Sequence, residues 1–291
     1  MKRFIIYQSI LHNPIQNFAL EEALFYGLEP GDKVLVLWVN SESVIIGRNQ
    51  NPWLEANVRK ANLDGVPIIR RLSGGGAVFH DQGNINYTFM SAGGDYDTHQ
   101  HFQLIIEALK SFGITLTLNE RSDLTYGRHK VSGNAFYFRG QRKLHHGTLL
   151  ISTNEQRLWK YLTPENLPIT GKGIASRRSD VLNLKSLSDE LSTDSAIEAI
   201  RMAFKRKHPA SVEKTGRPLE LLEPHMRDTF DSAVLKYQSW IWTYGETPTF
   251  TYQIDATSDI KIESGRVIDD GFDFNQIPLS GIKFKEGKDD H

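Results

Sequence analysis

Ile68-Ile69-Arg70-Arg71-Leu72-Ser73-Gly74-Gly75-Gly76-Ala77-Val78-Phe79-His80-Asp81-Gln82-Gly83-Asn84-Ile85-Asn86-Tyr87-Thr88-Phe89-Met90 carries three short apolar segments around one run of glycine. Residues 67–69 and 77–79 flank Ser73-Gly74-Gly75-Gly76, and 84–90 alternates in the manner of a half-buried strand. The reading is two strands joined by a triple-glycine turn, with Arg70 and Arg71 just ahead of it. Glycine admits positive φ and lets a ligand approach the backbone closely. Successive exposed N–H groups form an anion-binding concavity. Two guanidinium forks would add donors for a carboxylate or phosphate. No Gly-Lys-Ser/Thr follows at Walker A spacing, and no Gly-x-Gly-x-x-Gly opens a helix.

Working outward, Asn13-Pro14-Ile15-Gln16 predicts a helix start, with Asn13 as cap, and the helix runs to about Tyr26 and stops at Gly27. Residues 1–7 read as a first strand, and 33–39 and 43–48 as two more with a turn at 40–42. Asn51-Pro52 opens a second helix through about Asn62. A longer helix, about 98–112, presents Phe102, Ile105, Ile106, Leu109 and Phe112 on one face, and Gly113 ends it. A short strand at 114–118 follows. Residues 130–138 and 144–152 read as one hairpin with Arg139-Gly140-Gln141 at its tip. Further helices are expected near 156–162, 195–207 and 223–238, and 208–218 reads as a polar loop. Strand-like runs at 250–254 and 260–268 precede an acidic end. A boundary near Gly245 divides the chain into residues 1–245 and a small unit, 246–291.

The 291 residues are 39% apolar and 24% charged, an ordinary globular composition. Net charge is −1 with no block of like charges, which argues against a general nucleic-acid binder. No apolar run is long enough to span a bilayer and no signal-cleavage pattern is present, so no membrane association and a cytoplasmic location are expected. There is no cysteine. Disulfides, thiolate metal sites and cysteine nucleophiles are therefore excluded together.

Three stretches share one resemblance. The first is Arg70-Arg71-Leu72-Ser73-Gly74-Gly75-Gly76-Ala77-Val78-Phe79-His80-Asp81, preceded by Trp38-Val39-Asn40, Ile46-Gly47-Arg48 and Asn51-Pro52-Trp53. The second is Lys130-Val131-Ser132-Gly133-Asn134-Ala135 with His145-His146-Gly147-Thr148. The third is Lys172-Gly173-Ile174-Ala175-Ser176-Arg177-Arg178. Together, over roughly residues 4–270, the chain resembles the lipoate–protein ligases. That resemblance implies an α+β fold, with a mixed, largely antiparallel sheet flanked by helices and a small C-terminal domain. It implies ATP and lipoate as substrates, Mg²⁺, and a lipoyl-AMP intermediate. The acceptors it implies are lipoyl domains of 2-oxoacid dehydrogenase E2 subunits and the glycine cleavage H protein.

Carried over residue by residue, Lys130 matches the family lysine that contacts both the carboxyl end of lipoate and the α-phosphate. A compact ammonium suits charge that moves between two oxygens. Arg71, Gly76, Ala77, Val78 and Phe79 match positions that touch the nucleotide, although Phe79 taken alone reads as core. Arg71, Ser73, Gly74 and Gly75 fall in the lipoate loop, and His146 and Thr148 line the acyl pocket. The His145-His146 pair lacks zinc spacing. Asp123 is the expected Mg²⁺ carboxylate. Ser122 departs from the pattern, because close relatives often carry Asn there. The stretch 172–178 corresponds to a loop that covers the adenylate and moves on Gly171 and Gly173.

Related activities fit less well. Octanoyl- and lipoyl-transferases of this fold work through a cysteine thioester, and biotin–protein ligases carry a Gly-Arg-Gly-Arg-x-Gly-Arg loop that is absent here. Two alternatives stay open on the sequence: a lipoyltransferase that uses only preformed lipoyl-AMP, and a catalytically silent lipoate-binding protein.

Overall fold

The computed structural model describes residues 2–94, 96–171, 173–253, 259–269 and 272–273. Of the expectations above, those on Met1, Lys172, Ile254 and residues 274–291 lie outside the described residues. In chain order, β1 (Phe4–Ser9) leads to α1 (Pro14–Gly27), whose cap Asn13 accepts from the Gln16 N–H. Next come β2 (Lys33–Val39), β3 (Ser43–Ile46), α2 (Pro52–Glu55), α3 (Val58–Leu63), β4 (Ile68–Arg70), β5 (Val78–His80) and β6 (Asn84–Ala92). Then follow α4 (Thr98–Lys110), β7 (Thr117–Leu118), β8 (Leu124–Tyr126), β9 (His129–Ser132), β10 (Asn134–Arg139) and β11 (Arg142–Leu150). The chain continues through α5 (Glu155–Leu162), β12 (Ile169–Gly171), α6 (Thr193–Lys207), β13 (Val212–Gly216), α7 (Pro218–Leu221) and α8 (Arg227–Gln238). It closes with β14 (Phe250–Gln253), β15 (Asp259–Glu263), β16 (Arg266–Asp269) and β17 (Phe272–Asp273).

The main sheet runs β10-β11-β6-β2-β1-β13. The pairs from β10 to β2 are antiparallel, while β2, β1 and β13 are parallel. The fold is α+β with a mixed, mostly antiparallel sheet. One face packs Leu35, Leu37, Ile85, Tyr87, Phe89 and Leu149 against α4 and α6. The other packs Val34, Val36, Trp38, Met90 and Leu144 against α1 and α8. Helices on both faces explain a departure from the sequence reading: β6 is buried along its whole length. Its Ile85, Tyr87 and Phe89 face α4, and its polar residues Asn84, Asn86 and Thr88 face inward on the α1 side, alongside Met90, instead of meeting water.

Four further differences from the sequence reading follow. β4 and β5, the strands on either side of the glycines, do not pair with each other. Both pair with β3, in the order β4-β3-β5, so the glycine run is a crossover loop and not a hairpin turn. The predicted 130–138 strand breaks at Gly133. Lys130 lies on β9 in a separate sheet, β7-β8-β9, and only β10 pairs with β11. The polar stretch read as a loop holds β13, an edge strand parallel to β1. The helix expected over 51–62 is interrupted at Ala56-Asn57, where Asn57 caps α3.

The strands after Gly245 do not stand apart. β14 pairs with β12, and Phe250, Ile260 and Ile262 enter a core shared with Val44, Trp53, Phe79 and Tyr161. β15 and β16 form a hairpin whose turn, Ser264-Gly265, has φ of 49° and 69°. Among the described residues no helix is long and apolar enough to cross a membrane.

Candidate functional site

A cavity of about 490 Å³ lies between the main sheet, the glycine loop and residues 174–179. Gly75, Gly76, Ala77 and Val78 line it from the loop, Asp123 and Lys130 from the β7-β8-β9 side, and His146 and Thr148 from β11. Arg71 also reaches the wall. Ser73 and Gly74 stand behind the wall and shape it. Phe79 is 1% exposed and lines a neighbouring cavity of about 190 Å³, together with Leu150, Trp159 and Val181. Ala77, Val78, Lys130, Gly133 and Thr148 border both spaces.

The glycine loop is folded from within. Arg71 donates from Nη2 to Gly74 O (2.6 Å) and Gly76 O (2.8 Å), and from Nε to Ser73 Oγ (3.0 Å). Ser73 Oγ lies 2.7 Å from His146 Nε2, and His146 Nδ1 lies 2.9 Å from Glu21 Oε1. Thr88 Oγ1 donates to the same carboxylate oxygen at 2.6 Å. An ionised carboxylate only accepts, so the His146 hydrogen sits on Nδ1, and Nε2 accepts from Ser73. The order serine–histidine–glutamate is that of a hydrolase triad. Here, however, Ser73 is 1% exposed, outside the cavity wall, with its oxygen engaged by Arg71. The chain is a clamp on the loop, not a nucleophile.

Arg70 differs from its expected role as a forked anion donor. It is 0% exposed and gives its guanidinium hydrogens to Gly47 O, Arg48 O, Gln50 O, Trp242 O, Thr243 O and Thr247 Oγ1. It ties the loop's approach to the 242–247 turn and has no donor left for a ligand. Two glycines are forced by geometry. Gly75 sits at φ +88°, and a Cβ on Gly47 would lie 2.1 Å from Gly75 O.

Lys130 is fixed by its backbone, which donates to Asp180 O (2.8 Å) and accepts from Leu182 N (3.1 Å). Its Nζ lies 2.7 Å from Asp123 Oδ1. Ser122, next to that aspartate, is held at φ +61°, a rare conformation for a residue other than glycine. Asn134 supports it, donating from Nδ2 to Ser122 O at 2.9 Å. Asn134 Oδ1 in turn accepts from Tyr87 OH (2.6 Å) and contacts His145 Nε2 (2.9 Å). Among the described residues no group of three or more His, Cys, Asp or Glu could hold a metal ion. Asp123 therefore offers one carboxylate, enough for Mg²⁺ only where phosphates supply most of the remaining oxygens.

Residues 174–179 lie across the loop, fastened by Ser176. Its Oγ accepts the Ala77 N–H at 2.8 Å and a hydrogen of Gln50 Nε2 at 3.0 Å. Its N–H donates to Glu55, whose carboxyl is raised above the ordinary range by burial. The backbone donor of Ala77, expected to face the nucleotide, is thus taken by Ser176.

The sequence reading assigned no site role to Glu21, Trp38, His80, Asn86 or Asn134. The signal for Asn86 was its polarity in a strand that packs on both faces. Burial pushes His80 down to about 3, so it is neutral, and it shares the buried end of the larger cavity with Phe18, Trp38 and Asn86.

Comparison with known proteins adds three findings. Residues 13–205 match the family described as lipoyl protein ligase A/B catalytic domain. Lipoate-protein ligase A of Psychrobacter cryohalolentis is 41% identical over 254 residues, covering 86% of this chain and 75% of that protein. The structure of P. falciparum LipL1 in complex with lipoate superposes with a TM-score of 0.70 at 27% identity, covering 91% of this chain and 82% of that one. A lipoate-protein ligase A bound with ATP shares the fold with a TM-score of 0.68 at 23% identity, over 83% and 98% of the two chains.

Proposed function

Because this chain belongs to the lipoyl protein ligase A/B catalytic family, we propose how its two adjoining cavities serve as the active site of an ATP-dependent lipoate–protein ligase. The observation that carries the assignment is the position of Lys130, whose side chain borders both spaces. Lipoate's chain occupies the buried end of the larger cavity, and its carboxylate comes up to Lys130. The adenine occupies the smaller, apolar space beside Phe79, Leu150 and Val181. The α-phosphate then meets the carboxylate at Lys130.

A carboxylate oxygen attacks the α-phosphorus and pyrophosphate leaves, giving lipoyl-AMP. The Lys130 side chain follows the charge from carboxylate to phosphate oxygen. Its present partner, Asp123, marks it as a cation that already sits beside an oxyanion. The Gly75–Gly76 backbone gives the close approach that two crowded anions need. No side chain is acylated. In the second step the neutral amine of an acceptor lysine attacks the acyl carbon, AMP leaves, and an amide remains. Holding the partners in line, and keeping water from the mixed anhydride, supplies most of the acceleration.

Asp123, with Glu120 also on the wall, suits magnesium as a protein carboxylate beside the triphosphate. When bound, the ion would neutralise charge on the phosphates. We assign the acceptors to lipoyl domains of 2-oxoacid dehydrogenase E2 subunits and to the glycine cleavage H protein, and the compartment to the cytoplasm.

Lipoate-dependent ATP–pyrophosphate exchange tests the first step directly. Lys130→Ala is expected to remove it by at least a thousandfold. The fold should persist with a loss of about 1 kcal/mol, because Asp123 lines the open cavity and is not sealed in the core once its partner is gone. Exchange within tenfold of the wild type would sink the role given to Lys130.

A further inference from the structure

The Lys130 ammonium is held on two sides. Asp123 Oδ1 lies 2.7 Å from it, and the side chain passes over Gly133, where a Cβ would come within 3.0 Å of Nζ. Asp123 in turn belongs to a tight turn, residues 119–123. Asn119 ties that turn from one end: its N–H donates to Asp123 O at 3.0 Å, and its Oδ1 accepts the N–H groups of Arg121 and Asp123, each at 2.9 Å. The weak link is Ser122. It sits at φ +61°, a region that a residue other than glycine populates less by roughly five- to thirtyfold. Its carbonyl accepts from Asn134 Nδ2 at 2.9 Å.

The orientation of Asn134 is fixed from behind. A carbonyl only accepts, so the atom facing Ser122 O is the amide nitrogen, and Oδ1 faces Tyr87 OH (2.6 Å) and His145 Nε2 (2.9 Å). The second hydrogen of Nδ2 reaches Ser132 Oγ at 3.2 Å, and Ser132 Oγ donates to Tyr87 OH at 3.0 Å, whose own hydrogen is spent on Asn134. Burial keeps the His145 ring neutral. Its hydrogen therefore sits on Nε2, and Nδ1 accepts from His101 Nδ1 at 3.3 Å. The hydrogen bonds run one way, from His101 through His145 and Asn134 to the Ser122 carbonyl. A flipped amide would set acceptor against acceptor at Ser122 and donor against donor at His145. Asn134 stands on the cavity wall, yet both its donors and its carbonyl oxygen are turned to protein groups. Its work is on the turn, and not on a ligand. We propose that Asn134 is a positioning residue for the reaction: it supplies the hold that the backbone preference of Ser122 lacks, and so keeps Asp123 on Lys130 before the substrates arrive. An ammonium on a four-carbon stem is most effective when it is already in place. The proposal rests on the role given to Lys130 above.

Two readouts on the full chain test it: amide hydrogen exchange over residues 119–123, and lipoate-dependent ATP–pyrophosphate exchange. Asn134→Ala should speed the first and slow the second, each by roughly tenfold, the factor for one hydrogen bond. Adding Ser122→Gly to Asn134→Ala should recover most of both losses, because glycine takes φ +61° freely and brings no side chain that could meet a substrate. A merely structural loss around Tyr87 and His145 would not be repaired from the turn. A pyrophosphate-exchange defect that persists in full in the double variant would overturn the proposal, and so would unchanged amide exchange in Asn134→Ala. Should Asn134→Ala not fold, Ser122→Val decides, since it strains the turn and leaves the buried hydrogen bonds whole. Slower pyrophosphate exchange with faster turn exchange would support the proposal, and wild-type rates of both would overturn it. A wild-type chain without pyrophosphate exchange would count against the reaction itself; amide exchange in the turn then decides alone whether Asn134 holds Asp123 in place.

Discussion

Gly75 is the residue that leaves the chain least freedom. Its φ of +88° lies where a branched side chain is strained, and a Cβ would come within 2.9 Å of Arg71 Nη2, the donor that folds the loop. Gly75→Val should therefore abolish lipoate and ATP binding by calorimetry and lower stability by about 1–2 kcal/mol; normal binding of both would reduce the loop to a turn. Buried histidines set the acid limit. Burial lowers His80 to about 3, and lowers His145 as well, against an ordinary value near 6.5. Each has a depressed folded-state pKa, so the unfolded chain binds the extra proton. The neutral form of His80 stabilises the fold fully above pH 6.5, and that contribution is lost as pH falls from there toward 3; His145 adds a loss of the same sign as pH falls below 6.5. A urea-midpoint series should show stability dropping through this window by up to about 1.4 kcal/mol per pH unit for each histidine; a flat profile between pH 6.5 and 4 would contradict it. At this scale the motifs singled out Lys130, Gly75 and His146, and the structure brings these three to the wall of one cavity. The sequence misled at Arg70, whose forked donors are all spent on backbone carbonyls and Thr247 brought in from distant turns. Nothing local in the sequence separates an arginine that binds a ligand from one that ties loops together.

Strand β6 shows why element reading succeeds in period and fails in environment. The alternation of Ile85, Tyr87 and Phe89 with Asn84, Asn86 and Thr88 is real, but the polar side faces α1 and the cavity. A two-residue period reports which side chains share a face, not what covers that face. The two flanking strands of the glycine run looked like a hairpin because they are close in sequence, yet each finds its partner in β3. The edge strand β13, Val-Glu-Lys-Thr-Gly, escaped notice because it has one apolar residue at its start, and that residue is exposed. The segment 174–179 gives an element-scale test. Ser176 Oγ accepts the Ala77 N–H, a backbone donor assigned to the nucleotide. Ser176→Ala frees that donor and should tighten ATP binding by roughly three- to tenfold, the value of one net hydrogen bond. Hydrogen exchange at the Ala77 amide should accelerate in the same variant. Unchanged ATP affinity together with unchanged exchange would show that the contact holds nothing back.

At the scale of the molecule, the small C-terminal unit assigned to residues 246–291 shares its core with the rest. Phe250, Ile260 and Ile262 are 2%, 7% and 0% exposed, packed with Trp53 and Phe79, and Thr247 accepts from Arg70. Each buried apolar side chain contributes roughly 1.5–3 kcal/mol. Deleting 247–291 should therefore lower the urea midpoint by several kcal/mol equivalents as well as impair adenylation, and an unchanged midpoint would show that the strands are an ornament. The sequence reading set residues 246–291 apart as a small unit with strand-like runs. It did not show that the missing partner was β12, since three residues between loops carry no periodicity. The pairing of β12 with β14 has a thermodynamic consequence of its own. β12 ends at Gly171, a few residues before the segment that Ser176 fastens over Ala77. If nucleotide entry unfastens that segment and loosens β12, then the work done on the C-terminal strands is subtracted from the nucleotide's affinity. Reciprocity requires the same quantity to appear in reverse: a protein domain that grips β14–β16 and steadies β12 must weaken ATP binding by the factor by which ATP weakens that grip. Activation and delivery would then exclude one another by energy alone, with no residue shared between them.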